Sequence, residues 1–341
     1  MKDIGKKVGV SQTAVSKVLN NLPIRISEEK RQKIKEIAER FNYRPNIIAR
    51  SLRDKKTKTI GIVVPGMSTL FYPELIKSIE IKLFSYGYCS IVCDSEDDPS
   101  CERSHLEDLV SRWVDGLVIA PATGRENIEF LRSLGETNRP LILIDRYFPE
   151  ENFSFVISEN KRGAREGVKV LLQQGVSRII YIGEKDRNPS LDDRLQGVKE
   201  EAKERNISFT DEDIFLSYPE RSQVKKICNF IFEGLSRKEL RDTGIFLESN
   251  RFLMGLLDSA RDKGFFIPDD FKVIGFDPFG PEIIYPEDLI SLRVLKSPIP
   301  IIKQDIKGMG EKVSQYLFTC LKENTRFHWQ VKLPVEIIVP E

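Results

Sequence analysis

The chain has 341 residues, with 53 lysines and arginines against 52 aspartates and glutamates, a net charge of only +1. Two histidines far apart and five cysteines without paired spacing exclude a zinc or disulfide framework, so neither metal nor cofactor is expected. No apolar run is long enough to span a bilayer or to act as a secretory leader, which points to a cytoplasmic protein with reduced thiols.

The charge is unevenly placed. Residues 1–58 hold 16 basic against 6 acidic side chains, leaving 37 against 46 in the rest of the chain. A basic head on an acidic body is the electrostatic footprint of a phosphate-binding module.

In chain order, a short helix is predicted from Lys2 to Lys7, passing through Gly9 into a tight turn. A second helix follows, capped by Ser11, with Val15, Val18 and Leu19 on one apolar face. Two short helices joined by a Gly-containing turn make a helix-turn-helix, whose second helix fits the DNA major groove. Its exposed face carries Gln12, Thr13, Ser16, Lys17 and Asn20, groups that bond base edges or phosphates, with no carboxylate among them. An amphipathic hairpin on another kind of domain would share the local pattern; the basic head favours DNA. A third helix is predicted from Ser27, a good cap, to Phe41. Glu28 and Glu29 suit its positive end, and Ile34, Ile37, Ala38 and Phe41 are expected to pack on the first two helices.

Pro45 can open a further helix, but the stretch to Arg53 is short of the ~12–15 residues an isolated helix needs in water. It is expected to order only when DNA and a partner copy stabilise it. The charged linker Asp54 to Lys58 ends the head.

Beyond it, apolar runs predict buried strands at 60–64, 90–94, 117–121, 141–145, 155–158, 179–183, 245–247 and 273–277, and a last strand-like run at 335–339. Amphipathic helices intervene, for example at 72–85, 102–113, 162–173 and 252–263. Such alternation implies doubly wound parallel sheets with helices on both faces, and the length implies two of them.

Three groups of residues carry a resemblance. They are Gly9-Val10-Ser11 with Val15-Ser16-Lys17-Val18-Leu19-Asn20, Asn42-Tyr43-Arg44-Pro45-Asn46 with Ala49-Arg50-Ser51-Leu52, and Thr59-Ile60-Gly61-Ile62-Val63-Val64-Pro65. Together they resemble the LacI/GalR family of bacterial transcriptional regulators, and the likeness runs through essentially all of the remaining chain. It implies an all-α helix-turn-helix head (1–44), a hinge helix and linker (45–58) and an α/β two-lobed body (59–341) similar to type I periplasmic binding proteins. The first lobe is expected at about 59–157 and 291–323 and the second at about 158–290 and 324–341, with crossovers near 158, 290 and 324.

The resemblance further implies that Gln12, Thr13 and Lys17 read bases, and that Leu52, beside Ala49, wedges into the minor groove. Arg31, Asn46 and Arg53 complete the expected DNA contacts, with Ser11 at the helix start. Lys17 stands where Arg is common, which turns a bidentate guanine contact into a point-charge one. The family's Thr-like cap before the first helix is missing; Asp3 substitutes, or the start is trimmed. The expected partners are a pseudo-palindromic duplex operator, a second copy of the chain and a small polar effector, with no membrane.

Effector contacts are expected at the carboxyl ends of strands. They are Phe71 and Tyr72, Asp145 and Arg146, Arg194, Tyr218, Ser249, Asn250 and Asp277. Aromatic faces, Arg and Asp suit a polyhydroxylated molecule, and a sugar is the leading class, with a nucleobase or other polar metabolite as the alternative. Phe71 and Tyr72 could instead be core residues, and Asp277 a mere cap before Pro278. Ser249-Asn250 replaces the family's Asn-Asp, and Pro278 its second Asp, so fewer carboxylates are expected on the second-lobe side. His105 and His328 are expected on solvated faces. A solute-binding protein with a chance hairpin is the rival from another class. An enzyme is not expected, since no nucleophile–base set converges.

Overall fold

The computed structural model describes residues 1–19, 23–43, 56–68, 70–278 and 286–340. The chain divides into two compact units, Met1–Lys58 and Thr59–Glu341.

In the first unit, α1 (Lys2–Val8), α2 (Gln12–Leu19) and α3 (Glu28–Arg40) enclose a small core of Ile4, Val8, Val15, Val18, Ile34 and Ala38. Gly9 closes α1 at φ +71°, a left-handed conformation that glycine adopts freely. Gly5 is needed for a different reason: a Cβ there would stand 2.7 Å from the Val10 carbonyl oxygen. The caps fall where the sequence put them, with Ser11 Oγ accepting from the Ala14 amide and Ser27 Oγ from that of Lys30. Two expectations fail. Met1, not Asp3, precedes α1, and no side chain caps it. Phe41 is 48% exposed with Lys7 Nζ over its ring, because it lies past the end of α3; Tyr43 packs on the core instead.

In the body, β1 (Thr59–Val64), β2 (Cys89–Asp94), β3 (Gly116–Ile119), β4 (Leu141–Ile144) and β5 (Phe155–Ser158) alternate with α4 (Phe71–Ser85), α5 (Pro99–Ser111) and α6 (Ile128–Glu136). The second lobe repeats the scheme. Its strands β6 (Arg178–Glu184), β7 (Ile214–Ser217), β8 (Thr243–Leu247) and β9 (Lys272–Phe276) alternate with α7 (Asn160–Gln173), α8 (Pro189–Glu204), α9 (Arg221–Gly234), α10 (Arg237–Arg241) and α11 (Leu253–Lys263). The chain closes with α12 (Pro286–Ser291), β10 (Ile301–Lys303), α13 (Ile306–Glu323), β11 (Gln330–Leu333) and β12 (Glu336–Ile338).

The first sheet has the order β11-β5-β4-β3-β1-β2, all parallel. The second runs β12-β10-β9-β8-β6-β7, parallel except for its edge strand β12. Strand for strand the orders correspond, so β4 of one lobe is the counterpart of β9 in the other. The central strands read as unbroken apolar runs because helices bury both faces of each sheet.

The first crossover follows Ser158. The other two differ from expectation. Residues 292–303 stay with the second lobe, where Val294 and Ile299 enter its core and Ile301 pairs with Gly275. The chain crosses only between β10 and α13, which packs on α4 so closely that a Cβ at Gly310 would stand 2.3 Å from Ser78 Oγ. It returns between β11 and β12, near Pro334, and Asn324 is merely the left-handed cap of α13. β10 is three residues long and follows Pro298 and Pro300, too short and too interrupted to read as a strand.

Candidate functional site

The carboxyl ends of both sheets border a cavity of about 430 Å³. Eight of the nine expected effector residues line it. From the first lobe, Phe71 and Tyr72 open α4 and meet edge to face at 5.1 Å between ring centroids. Tyr72 Oη donates to Asp145 Oδ2 at 2.6 Å. Burial and the Asp145 charge together hold the Tyr72 phenol well above its ordinary value, so it stays a donor.

Arg146 does not point a free charge at a ligand. Its Nη1 donates to Asp97 Oδ1 at 2.6 Å, to the Pro121 carbonyl at 3.1 Å and to Thr123 Oγ1 at 3.2 Å. Burial alone would raise the Asp97 carboxyl, but Arg146 outweighs it and holds the group below its usual value. Asp97 was not foreseen. The acidic run Asp94 to Asp98 after a strand end is the one signal that could have marked it.

The second lobe contributes Arg194 from α8, only 4% exposed. Its Nε donates to Asn160 Oδ1 at 2.8 Å, its Nη1 to the Glu248 carbonyl oxygen at 2.7 Å, and its guanidinium lies 3.9 Å from the Phe276 ring centroid. Ser249 and Asn250 follow β8, and Asn250 Nδ2 donates to the Pro278 carbonyl at 3.0 Å. Asp277 follows β9 in a left-handed conformation, φ +68°, and its Oδ1 accepts from Gln304 Nε2 at 2.9 Å. It is no mere surface cap: burial raises its carboxyl above the ordinary value, Asp145 adds to the effect, and Arg194 and Gln304 oppose it.

Beneath this wall lies Glu248, fully buried. It accepts from Tyr181 Oη and, at 2.7 Å, from the Glu184 amide, and pairs with Arg187 at 2.9 Å. Its burial raises its carboxyl despite those partners.

Tyr218 is the exception. It lies just past the edge strand β7, is 39% exposed and sits 5.4 Å from Lys185 Nζ in a separate depression. The strand-end rule does not carry a side chain from the sheet's edge to its centre. The structure adds lining residues that the sequence did not single out, among them Asp94, Glu96, Glu184, Asn188, Ser190 and Gln304. Glu184 also places one more carboxylate on the second-lobe side than expected.

Two hydrogen bonds tie the lobes together here. Ser190 Oγ of α8 donates to the Asp145 carbonyl at 2.5 Å, and nearby Tyr147 Oη donates to Asp193 Oδ2 at 3.0 Å. His105 is half-buried rather than solvated, with Nε2 3.3 Å from Cys101 Sγ; His328 is exposed.

In the head, Ser11, Gln12, Thr13 and Lys17 are exposed on one side of α2, and Ser16 is half-buried. Arg31 is engaged by Glu28 at 3.4 Å. Asn20, Asn46, Ala49, Leu52 and Arg53, and with them the expected hinge helix, lie outside the described residues. Among the described residues no helix is long and apolar enough to cross a membrane, and no cluster of His, Cys, Asp or Glu could hold a metal ion.

A helix-turn-helix head with a polar exposed face on its second helix, joined in one chain to a two-lobed α/β body with a polar cleft, defines a ligand-responsive DNA-binding regulator. The comparisons agree. Residues 1–46 match the model of bacterial regulatory proteins of the lacI family, and residues 57–233 that of the periplasmic binding proteins and sugar binding domain of LacI family. Residues 168–340 match a periplasmic binding protein-like domain.

The HTH-type transcriptional regulator RegA of Clostridium saccharobutylicum is 32% identical over 290 residues, 84% of this chain and 85% of RegA. The ribose operon repressor of Halalkalibacterium halodurans is 28% identical over 100% of this chain and 96% of its own. The HTH-type transcriptional repressor PurR of Mannheimia succiniciproducens is 26% identical over 99% and 97%. In fold, the lac repressor dimer bound to operator and the anti-inducer ONPF is similar at a TM-score of 0.83, with 19% identity over 99% of this chain and 96% of that one. The chain belongs to the lacI family of bacterial regulatory proteins. It is a DNA-binding transcriptional regulator, not an enzyme.

Proposed function

We propose that the chain is a cytoplasmic repressor that binds a pseudo-palindromic operator as a homodimer and is switched by a small polyhydroxylated effector held between its lobes. The observation that carries this reading is the cavity itself, whose polar groups come from both lobes and from the Gln304 crossover, so a bound molecule would fix the angle between them. Phe71, Tyr72, Asp145, Arg194, Ser249, Asn250 and Asp277 are the proposed contacts. Arg146 is proposed as a positioning residue, since Asp97 occupies its guanidinium. Gln12, Thr13 and Lys17 are the proposed base readers, and residues 46–53 the segment that pairs with its counterpart on the operator. A sugar is favoured over a nucleobase because, among the described residues, the cavity offers many acceptors and a single aromatic corner, Phe71 with Tyr72. In a thermal-shift screen of sugars and nucleobases on the full chain, an effector raises the melting temperature by mass action and changes operator affinity in a gel shift. A ligand that stabilises the chain without altering operator affinity would contradict the switch.

A further inference from the structure

Among the described residues the cavity lining holds more carboxylates than cations, six against three guanidiniums. Two of the guanidiniums are already committed, Arg146 to Asp97 at 2.6 Å and Arg251 to Glu184 at 2.7 Å. Among the described residues that leaves Arg194 as the one uncommitted guanidinium in the lining beside Asp94, Asp145 and Asp277, with Glu96 exposed. Arg194 is held back in its own lobe by Asn160, the Glu248 carbonyl and the Phe276 ring.

Asp145 and Asp277 form a related pair. Each immediately follows the corresponding strand of its lobe, β4 in one and β9 in the other, and each has a left-handed backbone, with φ +63° and +68°. Each has one carboxylate oxygen satisfied, Asp145 Oδ2 by Tyr72 and Asp277 Oδ1 by Gln304. The second oxygen of each accepts nothing among the described residues. The two charges also feel one another, since Asp145 contributes to the raised Asp277 carboxyl. Ser249 adds an independent sign of a missing ligand: it is 8% exposed, lines the cavity, and its Oγ has no hydrogen-bond partner.

We propose that the effector is a small polyhydroxylated molecule bearing a protonated amine, with the ammonium bridging the free oxygens of Asp145 and Asp277 and hydroxyls meeting Ser249 and Arg194. An ammonium between the two aspartates offsets their mutual repulsion across the lobes with charge-assisted hydrogen bonds. Arg194, which can only donate, suits a hydroxyl or ring oxygen. A neutral sugar leaves the excess negative charge uncompensated, and a phosphorylated or acidic one adds to it. The inference rests on the effector reading above.

Calorimetric titration of the full chain with matched sets tests it. Each set holds a 2-amino-2-deoxy-hexose or 1-amino-1-deoxy-alditol, its neutral parent, its N-acetyl derivative and its phosphate. The expected result is an amine that binds about tenfold or more tightly than its parent and its N-acetyl derivative. In Asp277→Asn and in Asp145→Asn the amine loses more affinity than its neutral parent does, so that the preference collapses. A neutral or phosphorylated member that binds as tightly as its amine overturns the proposal, as does silence from every amine. A parallel gel shift keeps the two readings apart. A neutral sugar that changes DNA affinity faults only the amine, whereas a tightly bound amine with no effect on DNA faults the switch.

Discussion

Arg146 and Asp97 are joined at 2.6 Å with side-chain exposures of 11% and 33%, so neither is a casual surface charge. Asp97→Ala leaves a guanidinium largely buried without its carboxylate, and urea unfolding should show a loss of about 2–3 kcal/mol. A loss near zero would return Arg146 to the ligand. Asp277 gives a prediction of opposite character. Its raised carboxyl keeps its proton to higher pH in the folded chain than in the unfolded one. Stability from that group is therefore present at low pH and lost as pH rises through the raised value. Asp277→Asn can still accept from Gln304, and its unfolding free energy relative to the parent should improve between about pH 4 and about pH 7. A difference that does not vary with pH would show that the aspartate is not strained by its site. At this scale the sequence was informative wherever a residue ends a central strand, as Asp145 and Asp277 do. It was silent on Asp97, whose role is fixed by an arginine 49 residues away. It misled at Tyr218, which ends an edge strand.

The helices of the head and the long strands of the body were legible because their apolar spacing is set by burial alone. The hydroxyl caps at Ser11 and Ser27 were legible because each satisfies an amide that its helix leaves open. β10 was not: three residues after two prolines carry no period, and only pairing with β9 makes them a strand. That one short element moves the second crossover from near 290 to Gln304, whose side chain joins Ser158 at 2.6 Å to Asp277. Element packing also yields a test in the second lobe. Gly197 of α8 faces α7 so closely that a Cβ would stand 2.3 Å from the Lys161 carbonyl oxygen and 2.8 Å from Ala164 Cβ. Gly197→Ala should cost about 1–3 kcal/mol in chemical unfolding. An unchanged midpoint would mean that the two helices slide freely. For the segment after Pro45, Leu52→Ala should weaken specific operator binding by about tenfold more than non-specific binding, as loss of a minor-groove wedge requires. Equal losses in competition gel shifts would remove the wedge.

On the scale of the whole molecule, the near-neutral total conceals a basic head and an acidic body. The division between Lys58 and Thr59 falls at the same place in charge and in structure. The two lobes of the body repeat one strand order, which is why matched aspartates meet at one cavity. The head supplies the charge that DNA sees, and the body supplies a site whose occupancy can bias it.

The most direct test is the affinity of the full chain for a duplex enriched from a random pool, followed by fluorescence anisotropy as salt is raised. Two basic heads neutralising several phosphates each should lose about 10³-fold or more between roughly 50 and 200 mM salt. An affinity that barely moves over that range would contradict a DNA-reading head.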